Sequence, residues 1–302
     1  MRMRHLKYFL VVAEEQSFAR AAERVHIQPS PLSRAIRDLE LELGVALLDR
    51  SNGRTRLTWP GEVFREEARR ILSYMHSVRA RVKSADNGYR GHLRIGLSDG
   101  LAQPRMTQLL ARCRAEEPLT EVRVIEMPVS EMLQAIKSEQ IDAGFTVHPG
   151  FQHESYIKEA VWTDRPVLVM QARHPLLSRE RIALSEVIRY PMIICHPEQC
   201  AGGHDAINRW FRAAGLNEPI VAEYVSGHEI TVMLAAAGYG IGFALESQVA
   251  LYCHPDVVIR QILDDTESVA TYLVRPNRPM SPELERFLAR ANQVGQLVTA
   301  SQ

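Results

Sequence analysis

Ser30, Ser33, Arg34 and Arg37 share one face of the segment that follows Gln28. Two hydroxyls and two guanidiniums at that spacing suit phosphate oxygens and base edges in the major groove of a nucleic-acid duplex. The opposite face carries Leu32, Ile36, Leu39 and Leu43, spaced 4, 3 and 4 apart, which is one buried stripe of a helix. Ser30 precedes Pro31 and is the expected cap, with Pro31 at the first helical position, where no N–H is needed. Gly44 ends the helix. Upstream, Ser17 caps a shorter helix from Phe18 to about Val25, in which the small Ala21 and Ala22 let a second helix cross closely. His26 and Ile27 fill the turn. A solvated amphipathic helix is the bland reading of residues 30–43 alone. The preceding Ala-Ala helix and the short turn favour a helix-turn-helix that reads DNA.

These helices need support on their far side. Residues 47–50 and 56–58 read as two strands around Ser51-Asn52-Gly53-Arg54, and Asn-Gly is a strong hairpin signal. Such a wing brings Arg50, Arg54 and Arg56 to the phosphate backbone or the minor groove. A hairpin that merely closes the small core is compatible with that contact. The charge distribution agrees. The net charge over the 302 residues is zero, yet residues 1–83 hold 16 Lys+Arg against 10 Asp+Glu, and the remainder 20 against 26. A basic front on an acidic body fits a chain of which one end meets nucleic acid. The apolar run within MRMRHLKYFLVVAEEQ is too short for a signal peptide, and no stretch reaches the ~18 residues of a membrane span. A cytoplasmic location without membrane contact is expected, and four cysteines suit a reducing compartment.

Residues 61–84 form the longest uninterrupted helical pattern. Phe64, Ala68, Ile71, Met75, Val78 and Val82 recur at 4, 3, 4, 3 and 4, a period of 3.5 that marks helix-on-helix pairing. The flanking arginines leave only a narrow apolar stripe, so a dimerisation helix is favoured over one lying on its own domain. Two copies would present two recognition helices to two half-sites. Residues 86–91, DNGYRG, read as a hinge.

From His92 strands and helices alternate, which argues for an α/β module with parallel sheets covered by helices. Strands are expected at 93–97, 122–126, 141–145, 156–163, 167–170, 192–195, 220–224, 241–244 and 269–274. Helices are expected at 104–116, 130–138, 205–214, 229–237 and 282–294. Two series with a late return imply two subdomains joined by two crossovers. Ligands in such folds sit at strand C-termini and helix N-termini. That rule selects Ser98, Asp99 and Gly100 after the first strand, and Val129 and Ser130 after the second. It also selects Thr146 and Val147 after the third, Gly202, Gly203 and His204 before one helix, and His228 before another. Each singly fits ordinary turn and capping chemistry; five loops meeting at one cleft make a binding site for a small molecule. Helix N-termini favour an anion there, whereas Asp99 and Asp205 oppose one.

SFARAAERVHI, SPLSRAIRDLELELG, LLDR and RLTWPG together resemble the N-terminal domain of LysR-type transcriptional regulators, and the order of elements matches to the C-terminus. The resemblance implies a winged helix-turn-helix over residues 1–59, a linker and dimerisation helix with hinge over 60–90, and an effector-binding domain over 91–302. That domain would resemble a periplasmic binding protein, with subdomain I at 91–161 and 269–302 and subdomain II at 162–268. It further implies promoter or operator DNA, a homodimer or homotetramer, RNA polymerase and a small-molecule effector as partners. IEMPVSEMLQAIKSEQIDAGF resembles the branch that senses aromatic-degradation intermediates and other small carboxylates, so a small organic acid is the expected effector. Several positions depart from the pattern. Pro29 stands where many members carry Gln, with Gln28 one residue earlier. Val129 and Val147 replace polar residues, and Gly202 and Gly203 replace larger ones, so the branch's dicarboxylates are not carried over.

Other chemistry is less well supported. Cys195-His196 with Cys200 and His204 matches no common zinc spacing. The peroxide-sensing branch of the family places a reactive cysteine near Cys200, which leaves a redox- or metal-responsive regulator through Cys195 and Cys200 as an alternative. Gly238-Tyr239-Gly240-Ile241-Gly242 has the wrong spacing for a dinucleotide fingerprint, and neither GxSxG nor HExxH occurs. No catalytic residue, metal ligand or cofactor is expected. A solute-binding protein would account for the α/β half but not for residues 1–60.

Overall fold

The chain divides into two compact units, one built on Met1–Lys83 with Ser138–Gln140 and the other on Ser84–Lys137 with Ile141 onward. The computed structural model describes all residues except 51–54, 102, 149, 151–153, 250–253, 265 and 300–302.

The first unit holds α1 (Met3–Glu15), α2 (Phe18–Arg24), α3 (Pro29–Leu43), the two-stranded wing β1 (Leu48–Asp49) and β2 (Arg56–Leu57), and all but the last turn of α4 (Trp59–Asp86). Leu6, Phe9, Ala21, Ala22, Leu32, Ile36, Leu39 and Leu47 form its core. Ser17 caps α2 as expected, accepting from the Arg20 N–H at 3.4 Å. His26 closes α2 in the left-handed region at φ 56°; its N–H donates to Glu23 O, and the Ile27 N–H reaches back to Ala22 O. That pair of bonds is a Schellman motif, which turns the chain into α3.

Two expectations for α3 are corrected. The helix starts at Pro29 with Gln28, not Ser30, in the cap position. Both prolines are accepted because the first turn needs no N–H from them. Leu43 is exposed, because Gly44 ends the helix in the left-handed region and Leu39 is the last α3 residue in the core.

β1 and β2 pair antiparallel, Leu48 opposite Leu57 and Asp49 opposite Arg56. The expected Asn-Gly turn, with Arg54, lies outside the described residues. Thr58 caps α4: its hydroxyl donates to Ala46 O at 2.7 Å and accepts from the Gly61 N–H at 3.0 Å. A Cβ on Gly61 would lie 2.0 Å from Leu47 O, so only glycine lets α4 leave this close to the wing. The seam on α4 divides its labour. Phe64 packs edge-on against Phe9 with centroids 5.0 Å apart, and Ala68 is fully buried, so both serve the head's own core. Ile71 and Val82 remain exposed on the 28-residue helix.

The second unit contains β3 (Gly91–Leu97), α5 (Pro104–Glu116), β4 (Thr120–Glu126), α6 (Val129–Lys137), β5 (Ala143–Thr146), β6 (Tyr156–Asp164), β7 (Pro166–Gln171), β8 (Arg181–Ile182) and α7 (Leu184–Val187). It continues with β9 (Met192–Cys195), α8 (Ala201–Ala213), β10 (Val221–Val225), α9 (His228–Ala236), β11 (Ile241–Leu245), α10 (Glu246–Val249), β12 (Val257–Ile262), β13 (Val269–Pro276) and α11 (Pro282–Thr299). Two sheets result, ordered β4-β3-β5-β13-β6 and β10-β9-β11-β7-β12-β8. Each has a parallel part, β4-β3-β5 and β10-β9-β11. The expectation of parallel sheets is corrected: β13 runs antiparallel to β5 and β6, and β7 antiparallel to β11 and β12. The reversal follows from the crossovers, because the chain enters the second lobe through β6–β7 and returns through β12–β13. Pairing of Asp164 with Val269 carries β6 past residue 161, so the lobes change at Arg165. α8 begins at Ala201, four residues before the expected Asp205.

Glu117, just past α5, anchors α11. Its carboxylate accepts from Arg286 Nε at 2.6 Å and from Arg290 at 2.6 Å. The Arg286 bond, with Arg290 and Thr120 acting in the same sense, lowers its pKa to about 2, against partial desolvation. A carboxylate with a depressed native pKa stabilises the fold above its unfolded value of 4.5, and that stabilisation is lost as pH falls toward 2. Denaturant titrations of Glu117→Gln are expected to show lower stability at neutral pH and a flatter decline between pH 4.5 and 2 than the parent chain. Gly61→Ala is expected to destabilise the head by roughly 1–3 kcal/mol through overpacking, read as an earlier head transition in the same titrations.

Candidate functional site

Two regions gather the candidate residues. In the head, burial of Leu32, Ala35, Ile36 and Leu39 fixes the rotation of α3, so Ser30, Pro31, Arg34 and Arg37 are exposed and Ser33 is half-buried. Gln28 is exposed at the cap. Among the described residues no ion pair engages Arg34, Arg37 or Arg56, while Arg20 and Arg24 pair with acids of α1. Arg50 differs from its expected role. Its guanidinium pairs with Glu40 at 3.0 Å and lies 5.0 Å from the centroid of the Phe18 ring. Glu40 also accepts from the Leu47 and Leu48 N–H groups at 2.9 and 3.0 Å, so one carboxylate ties α3 to the wing. Sequence reasoning missed Glu40; its place on the helix flank nearest the wing strand was the available signal. Ser17 is committed to capping α2.

In the second unit, the loop after β3 enters the junction of the lobes. Ser98-Asp99-Gly100-Leu101 is a turn with left-handed Asp99 (φ 58°) and Gly100 (φ 62°), closed by the Leu101 N–H to Ser98 O at 3.2 Å. Two left-handed central residues define a type I′ turn, for which Asp-Gly is a preferred pair. The Asp99 side chain is buried and fully engaged. Its Oδ2 accepts from Ser98 Oγ at 2.6 Å, Thr146 Oγ1 at 2.7 Å and the Val147 N–H at 3.2 Å. Its Oδ1 accepts from the Gly202 N–H at 2.9 Å, across the lobes. Gly202 is the second residue of α8, whose cap residue Cys200 offers no side-chain acceptor. Asp99 thus caps α8 from the opposite lobe, a charge-assisted contact worth about 1–2 kcal/mol.

The lobes touch at this point. A Cβ on Gly202 would lie 2.6 Å from His148 N and 2.9 Å from His148 Cα. Gly100 faces Gly227 and His228 N, and its carbonyl accepts from Gln248 Nε2 at 3.0 Å. His148 Nδ1 also lies 3.3 Å from Asp205 Oδ2 across the lobes. Behind these contacts Gln103 donates to Thr271 Oγ1, and Ser247 bonds Asp164 and Gln103. Of the expected effector residues, Ser98, Asp99, Gly100, Thr146, Val147 and Gly202 converge, with His228 beside Gly100. Gly203 lies against the Cys195 sulfur. His204 is held by Asn208 at 3.2 Å. Val129 instead joins the cluster of Met132, Ile136 and Val274, against which Ala201 packs, and Ser130 is exposed. Gln103, Asp164, Ser247 and Gln248 were missed, because their partners at the junction lie far away in sequence and no local spacing reveals such pairs.

Burial acts on two titratable groups here, the His228 imidazole and the Cys200 thiol. Burial lowers the His228 pKa, so its imidazole is neutral near pH 7. A hydrogen bond to Cys195, together with burial, pushes the Cys200 thiol pKa up, the opposite of what a reactive thiolate needs. Among the described residues no group of three His, Cys, Asp or Glu could hold a metal ion, and no helix is long and apolar enough to cross a membrane.

Comparison with known proteins agrees with this division. Residues 3–62 match the model of the bacterial regulatory helix-turn-helix proteins of the lysR family, and residues 86–296 match the LysR substrate binding domain. The chain is 29% identical to the HTH-type transcriptional regulator ClcR of Pseudomonas putida, over 95% of this chain and 97% of the relative. It is 27% identical to the Hca operon transcriptional activator HcaR of Escherichia coli, over 99% and 100%. A crystal structure of full-length CbnR complexed with target DNA superposes with a TM-score of 0.68 at 25% identity, covering 97% of this chain and 100% of that one. Full-length BenM gives 0.62 at 25%, covering 99% and 98%. With both family models matched in order along its two units, the chain belongs to the LysR family: it is a DNA-binding transcriptional regulator with a ligand-binding domain, and not an enzyme.

Proposed function

We propose that the exposed face of α3 reads promoter or operator DNA and that a small-molecule effector held between the two lobes sets the outcome. The observation that carries the DNA half is the pair Arg34 and Arg37, exposed opposite a fully buried stripe and without ion-pair partners among the described residues. A guanidinium with no internal acid keeps its charge available for phosphates and base edges. Ser30, Ser33 and Gln28 flank them, and Arg56 adds charge from the wing. Arg50 acts through Glu40 and Phe18 and positions the wing.

The effector half rests on the convergence of loops from both lobes around Asp99, with α8 and α9 starting there. With the start of α8 taken by Asp99, the start of α9, which has no side-chain cap, is the helix end that favours an acid group, so a small organic acid remains the effector class we propose. Its identity is the subject of a melting-temperature screen of aromatic acids, small carboxylates and amino acids. Effector and DNA are linked reciprocally, with a coupling typically of ~1–3 kcal/mol. The working form is a homodimer joined along the exposed part of the α4 seam, pairing further into a tetramer, acting in the cytoplasm on RNA polymerase at the promoter. A two-fold dimer matches two half-sites.

Arg34→Ala and Arg37→Ala are each expected to weaken binding to the chain's own upstream region and to lower the slope of log K against log salt by about 1. Fluorescence anisotropy across a salt series measures this, and an unchanged slope in both variants would remove α3 from the interface. Ile71→Asp is expected to shift the protein toward monomer in sedimentation at micromolar concentration, with protection of one half-site in place of two. An unaltered mass distribution would place the dimer contact elsewhere.

A further inference from the structure

Asp99 accepts four hydrogen bonds, and nothing in a type I′ turn requires it to reach the other lobe. Asn or Gly would form the turn equally well. Four donors converge on this one carboxylate, from Ser98, Thr146, Val147 and Gly202. Three belong to its own lobe and the fourth is the N-terminus of a 13-residue helix in the other. The seat has the features of an anion site: a buried position, hydroxyl and amide donors, and a helix start with no side-chain cap of its own. Its occupant is part of the chain.

We infer that Asp99 is an internal anion, which fills the interlobe anion seat and holds the lobes together without a diffusible acid. The inference rests on the reading that the effector acts between the lobes, and it narrows where an effector can bind. A tethered carboxylate competes intramolecularly, while a free acid must give up translational freedom to bind. The seat is also closed to solvent, since Ser98, Asp99, Thr146 and Gly202 are all buried. An effector acid of the native chain therefore binds outside the Ser98–Thr146–Gly202 seat.

The side chain of aspartate beyond Cα is, atom for atom, an acetate. Asp99→Gly therefore removes an acetate-sized group, and its left-handed backbone at φ 58° is one that glycine adopts freely. The test uses the full-length chain with sodium acetate or sodium formate, and sodium chloride at equal ionic strength. Circular dichroism follows the melting of the α/β unit. Asp99→Gly is expected to melt about 2–8 °C below the parent chain. Acetate and formate should restore that difference saturably, chloride should not, and the parent chain should respond to acetate no more than to chloride. A crystal of Asp99→Gly grown with acetate should show a carboxylate on the Gly202 N–H.

Asp99→Asn supplies the second variant should Asp99→Gly fail to fold. It keeps the volume but turns an N–H toward donors, so it should melt lower and gain nothing from acetate. Parent-like melting of either variant overturns the inference, as does equal stabilisation by acetate and chloride, or an acetate effect on the parent as large as on Asp99→Gly. None of these readouts involves DNA. Loss of the interlobe effector reading would appear separately, as an effector whose melting shift is unaffected by substitutions at His148 or His204.

Discussion

The carboxylate of Asp99 bridges the two lobes of the α/β unit. Asp99 gathers two hydroxyls and one amide from its own lobe and one amide from the start of α8. Buried away from water, a carboxylate is tolerated only when such donors replace its hydration. The neighbouring contacts depend on that arrangement. Thr146 Oγ1 donates to Asp99 and accepts from the His148 N–H at 3.0 Å, which helps orient the strand end that carries His148 to Asp205. Glycine at position 202 is the steric condition for the same approach. A turn, a helix cap and an interlobe contact are thus parts of one structure.

The head applies the same logic to positive charge. Its arginines divide into those with acids and those without. Arg50 is bound by Glu40 and stacked on Phe18, so it fixes the wing on α3. Arg20 and Arg24 are bound by acids of α1. Neutralised cations contribute to packing and lose reach, while Arg34 and Arg37 keep theirs. A modest net positive charge can serve DNA binding in this way, because part of it, unpaired among the described residues, lies on the exposed face of α3.

Much of the architecture was legible in the sequence. The Leu32, Ile36, Leu39 stripe gave the rotation of α3, Ser17 gave the start of α2, and Pro104 gave that of α5, because period and capping are local properties. The strand–helix alternation gave two lobes with two crossovers. Errors came where distant contacts overrode local signals. Leu43 continued the stripe in sequence but lies beyond the core. Phe64 and Ala68 fit a dimer seam yet are held by Phe9 and its neighbours. α8 starts at Ala201 because an acid about a hundred residues away caps it.

The sequence by itself determined that the chain carries a helix-turn-helix, a long helix and a two-lobed α/β module. It also determined which loops could meet, since these follow from periodicity, turn chemistry and connection rules that act within a few residues. Tertiary structure alone decided what those loops do when they meet. It spent Arg50 on Glu40, left Arg34 and Arg37 exposed, and set Asp99 on the α8 amide instead of leaving it as a turn residue. The reason is physical: the partner of a charged side chain is whichever group the folded backbone brings within about 3 Å, and no local pattern encodes that distance.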